Sequence, residues 1–125
     1  MADFRVLLVD DEEEFVSALS ERLGLRGIEV DTALNGEEAL ATMVDKEFEL
    51  VILDVMMPGL GGLDVLKQIK STHPKTEVIL LTGHGATREG IEGMRLGAFD
   101  YLIKPVDIEE MLEKMKQAVK TVRAD

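Results

Sequence analysis

Apolar and polar positions follow two periods along the chain. Val6-Leu7-Leu8-Val9 is a short apolar run that stops at Asp10-Asp11. Residues 12–23 take helical spacing, with Phe15, Ala18, Leu19 and Leu23 on one face. Gly24 or Gly27 supplies the left-handed C-cap. Residues 28–33 alternate in and out, as a half-exposed edge strand does. Asn35 reads as an N-cap, and Glu38 three residues on completes a box-like pattern. Ala39, Leu40, Met43 and Val44 form the buried stripe of the second helix.

Residues 50–53 are a third apolar run, and it ends in a lone carboxylate, Asp54. Gly61-Gly62 and residues 63–70 predict a loop and a third helix, stopped before Pro74. Residues 78–82 are the fourth strand and residues 86–96 the fourth helix, in which Gly90 and Gly93 each cost roughly 1 kcal/mol against alanine. Residues 99–103 are the fifth strand. The last helix is capped by Asp107. Ile108, Met111, Leu112, Met115, Val119 and Val122 recur along it at helical intervals, and Glu109, Glu113, Lys116 and Lys120 lie on its outer face.

Strand and helix thus alternate throughout, which predicts an α/β domain with a parallel sheet and helices on both faces. The first, third and fourth strands lack polar alternation, as interior parallel strands do. No linker, repeat or low-complexity stretch interrupts the pattern, so residues 1–125 read as a single doubly wound domain with no effector domain in this chain.

Composition narrows the function. Acidic residues number 25 against 14 basic ones, a net charge of −11, which opposes direct nucleic-acid binding and an anionic membrane surface. There is no cysteine, so disulfides, thiolate chemistry and Cys-ligated zinc are excluded. Two histidines, His73 and His84, are too few for most histidine-based metal sites. The chain shows neither a membrane span nor the start of a signal peptide, and the cytoplasm is the expected compartment.

The strand ends carry the candidate chemistry. In a parallel sheet all strand C-termini share one edge, where ligands bind. The first strand delivers Asp10 and Asp11 to it, the third Asp54, the fourth Thr82, and the fifth Lys104 followed by Pro105. Clustered carboxylates need a cation or a shared proton. Magnesium suits oxygen ligands and keeps several waters. A divalent ion, a lysine and a hydroxyl around one acid are the parts that steady a transferring phosphoryl group, and an aspartate can be its acceptor.

The motifs Val9-Asp10-Asp11-Glu12, Leu53-Asp54-Val55-Met56-Met57-Pro58-Gly59, Leu81-Thr82-Gly83-His84-Gly85 and Ile103-Lys104-Pro105 together resemble the receiver domains of two-component response regulators. The resemblance covers residues 4–122 and implies a flavodoxin-like sheet of order 2-1-3-4-5, as in the chemotaxis regulators. It implies a switch in which Asp54 accepts a phosphoryl group from a sensor histidine kinase or phosphotransfer protein and slowly loses it, without enzymatic turnover. Asp11, Asp54 and the backbone carbonyl of Met56 would bind Mg2+ (or Mn2+), with Asp10 acting through a metal-bound water. Thr82 would bond the phosphoryl oxygens, Lys104 would pair with Asp54 or its phosphate, and the Lys104-Pro105 bond would be cis. Tyr101 would move inward as the switch residue, and His84 would modulate the attacking water. The fourth helix, fifth strand and fifth helix would form the output face, for an effector, another partner or a homodimer. Residues 93–105 loosely resemble receivers joined to AAA+ activators.

Plainer readings stand beside these. Glu12, Glu13 and Glu14 read as an acidic first helical turn, Met56 and Met57 as apolar fillers, and His73 as the end of the third helix. An aspartyl phosphatase would carry a second aspartate at position 56, where this chain has Met56, and a cap insertion for which there is no room. A nucleotide-binding module would need a glycine-rich loop after the first strand, where Asp10-Asp11-Glu12 stands instead. A degenerate receiver would lack a key residue, and every key position is filled.

Overall fold

The computed structural model describes residues 4–83 and 87–123. Five strands and five helices alternate: β1 (Arg5–Val9), α1 (Glu13–Leu25), β2 (Glu29–Ala33), α2 (Gly36–Asp45), β3 (Leu50–Asp54), α3 (Gly62–Thr72), β4 (Glu77–Thr82), α4 (Thr87–Arg95), β5 (Asp100–Ile103) and α5 (Ile108–Arg123). The sheet is parallel, in the order β2-β1-β3-β4-β5. The three apolar runs without alternation are its three interior strands, and β2 and β5 are the edges.

Both faces of the sheet are covered. On one face Val6, Leu8, Leu50, Ile52, Ile79 and Leu81 pack with residues of α1 and α5. On the other Leu7, Val9, Val51, Leu53, Val78 and Leu80 pack with residues of α2 and α3. Successive side chains point to opposite faces, so each interior strand feeds both cores and is apolar along its middle, with polar residues only at its ends.

The caps read from the sequence are in place. Asn35 Oδ1 accepts from the Glu38 N–H at 2.8 Å, and Glu38 Oε1 reaches back to the Leu34 N–H at 3.0 Å. Asp107 Oδ1 accepts from the Glu109 N–H at 2.9 Å. Two helical stripes need correction in phase. In α1 the buried face is Val16, Leu19 and Leu23, while Ala18 is exposed and Phe15 half-buried. In α2 Ala39 and Met43 are buried, Leu40 is half-buried, and Val44 is 80% exposed. A helical period predicts a stripe, but docking on the sheet sets which residues centre it. Among the described residues, no helix is long and apolar enough to cross a membrane.

Candidate functional site

Strand register delivers the polar residues to one edge. Val9 lies beside Leu53, so Asp10 leaves β1 level with Asp54 at the end of β3. Asp54 pairs with Leu81, and Thr82 with Ile103, which puts Lys104 just past the end of β5. Backbone bonds carry the ladder beyond the strands. The Asp10 N–H donates to the Ala33 carbonyl at 3.1 Å, Val55 N–H to Leu81 at 3.0 Å, and Lys104 N–H to Thr82 at 2.8 Å. Gly62 opens α3 directly behind Asp54. A Cβ there would collide with the Asp54 carbonyl oxygen and lie 2.6 Å from Val55 Cα, so only glycine lets the helix start so close to the strand end.

Asp10, Asp11 and Asp54 converge, each with an oxygen within 4.8 Å of the others. Asp10 and Asp54 are buried and Asp11 is exposed. Asp10 Oδ1 accepts from the Glu12 N–H at 2.9 Å. Its Oδ2 is 2.7 Å from Lys104 Nζ, an ion pair by distance. Beyond this ion pair, that buried oxygen has no further partner among the described residues. Asp54 Oδ1 accepts from the Met56 N–H at 3.2 Å, and its Oδ2 is 3.9 Å from Lys104 Nζ.

Burial, then the charge of Asp10, pushes the Asp54 carboxyl up to about 7, against the pull of Lys104 and the Met56 N–H. Burial pulls the Lys104 ammonium down, but its contacts with Asp10 and Glu12 outweigh that and hold it above its ordinary range. Three acids therefore face one lysine with too little positive charge. The all-oxygen donor set fits a hard divalent ion such as Mg2+.

Of the remaining sequence candidates, Thr82 ends β4 and Pro105 follows β5 at this edge. Thr82 is buried, and its hydroxyl donates to the Leu102 carbonyl at 3.3 Å. The Lys104-Pro105 peptide is cis. Met57 is buried, but Met56 is 64% exposed rather than a filler. Tyr101 is half-buried, its ring against Gly90 of α4. His84 lies outside the described residues. His73 does end α3, its ring bridging the Thr72 hydroxyl at 2.8 Å and the Met43 carbonyl at 3.1 Å.

Two residues were missed by the sequence reading. Glu12 Oε1 is 2.8 Å from Lys104 Nζ, and this contact, with the charge of Lys104, holds the Glu12 carboxyl below its ordinary range. The Phe15 ring lies 4.8 Å from the same ammonium. Nothing in the local sequence separates Glu12 from Glu13 and Glu14 except its place directly after the aspartate pair.

Comparison with known proteins agrees with this architecture. The sequence model of the response regulator receiver domain matches residues 6–116. The transcriptional regulatory protein CpxR of Klebsiella pneumoniae is 43% identical over 112 residues, which is 90% of this chain and 47% of that protein. The chain spans about half the length of the curated relatives it matches first. A response regulator receiver domain protein from Clostridium thermocellum superposes with a TM-score of 0.92 at 34% identity, covering 99% of this chain and 98% of that one. NtrX from Brucella abortus superposes with a TM-score of 0.93 at 32% identity, covering 99% of this chain and 28% of that one. With its sheet order, its converging acids and these relatives, the chain belongs to the receiver-domain family of two-component response regulators.

Proposed function

We propose that this receiver works as a phosphorylation switch with Asp54 as the acceptor. The observation that carries this reading is the convergence of Asp10, Asp11 and Asp54, with Lys104 beside them, at the C-terminal edge of the sheet. An Asp54 oxygen attacks phosphorus, the P–N bond to a histidine of a sensor kinase or phosphotransfer protein breaks, and an acyl phosphate forms. Asp11, Asp54 and the Met56 carbonyl would hold Mg2+, with Asp10 acting through water. The ion, when bound, offsets the charge of the carboxylates and of the phosphoryl oxygens. Lys104 turns to the phosphoryl group, and the Thr82 hydroxyl gives up the Leu102 carbonyl to bond a phosphoryl oxygen.

Tyr101 follows into the space beside Thr82 and alters the face formed by α4, β5 and α5, where an effector, another partner or a second copy docks. The chain's chemistry is confined to gaining and losing its own phosphoryl group, with His84 tuning the loss, and it acts as one receiver domain in the cytoplasm. Acetyl phosphate with Mg2+ should add one acid-stable, base-labile phosphoryl group by intact mass, and Asp54→Asn should add none. No adduct, or the same adduct in the variant, overturns the switch.

A further inference from the structure

We propose that Glu12 is a positioning residue: it restrains Lys104 short of Asp54 and releases it when a phosphoryl group arrives. The inference rests on the acceptor role of Asp54 proposed above. Lys104 Nζ sits 2.7 Å from Asp10 Oδ2 and 2.8 Å from Glu12 Oε1, but 3.9 Å from Asp54 Oδ2. That last distance is too long for a hydrogen bond. The lysine is therefore held more closely by two other acids than by the acceptor, with which it keeps only a longer ion pair.

The two acids differ in what they can do next. Asp10 is wholly buried and belongs to the carboxylate group that would face a cation, so a bound cation competes with Lys104 for its charge. Glu12 is outside that group, and its side chain is 64% exposed. It remains the competitor for Lys104 once a cation is present, and it can retreat into water without being left buried and unpaired. Phe15, 4.8 Å from Nζ, offers the ammonium an aromatic face while partners exchange. Glu12 is also the N-cap of α1 but makes no side-chain capping bond, so removing its charge leaves the helix start intact. The step exchanges hydrogen bonds only.

The test is calorimetric binding of beryllofluoride, a phosphoryl mimic, in excess Mg2+. Glu12→Gln should bind about two- to fivefold tighter than the native chain, the scale of one exposed ion pair. Glu13→Gln, which removes an equal charge one residue away, should change affinity by less than about 1.5-fold. The gain should vanish in a Lys104→Ala background, a coupling that a general structural effect would not produce. An unchanged or weaker affinity in Glu12→Gln, or a gain that survives without Lys104, overturns this inference while leaving the acceptor role standing. A native chain that binds no beryllofluoride overturns both.

Discussion

At Asp54 the fold holds a carboxylate at the end of a wholly buried strand and beside a second buried acid. Its folded pKa of about 7 exceeds the ordinary 3.8. Between those values the folded chain keeps a proton that the unfolded chain has lost. Stability therefore falls as pH rises through that window, and the loss is complete above about 7. Asp54→Asn cannot ionise and escapes this loss. In chelator it should be more stable than the native chain by roughly 1–3 kcal/mol at pH 8, with little difference near pH 4. Thermal melts across pH check this, and equal melting temperatures at pH 8 would refute it. Asp54 was legible in the sequence because a lone acid closing an apolar run stands out. Glu12 was not, because its role depends on a lysine 92 residues away.

For the elements, α4 shows where propensity misleads. Gly90 and Gly93 read in the sequence as weaknesses of a helix. In the fold they are where that helix meets the sheet. A Cβ at Gly93 would collide with Leu80 Cδ1, and one at Gly90 would lie 3.1–3.2 Å from carbons of the Tyr101 ring. Helix propensity alone predicts that Gly93→Ala stabilises by about 1 kcal/mol. Overpacking against buried Leu80 predicts a net loss of roughly 1–3 kcal/mol instead. Urea unfolding decides between them by sign. The helical stripes were legible in period but not in phase. Val16 replaced Ala18 in the core, and Val44 turned to solvent, because the sheet fixes each helix's rotation.

On the scale of the whole molecule, three of the exposed large apolar residues sit on neighbouring elements. Ile91 and Met94 are on α4, and Ile103 is on β5. Lys114 of α5 pairs with Asp100 of β5 at 2.6 Å, which ties α5 to β5. Apolar side chains with a charged border are what a self-associating surface offers. Sedimentation should show the native chain shifting from monomer to dimer on addition of Mg2+ and beryllofluoride. Ile91→Glu should bind the mimic equally well and remain a monomer. A native chain that stays monomeric with the mimic bound would refute this pairing.

Element order, the interior strands and the set of polar residues gathered at one edge followed from the sequence, because hydrophobic period is a near-neighbour property and a parallel sheet brings every strand end to one edge. Asp10, Asp11, Asp54, Thr82 and Lys104 could be named on that ground alone. Packing alone decided which of them touch. The preference of Lys104 for Asp10 and Glu12 over Asp54 rests on differences of about an ångström between elements distant in sequence. The same holds for the close seats of Gly62 and Gly93 and for the rotation of α1 and α2. Such differences arise from mutual docking of rigid elements, and no local pattern of residues encodes them.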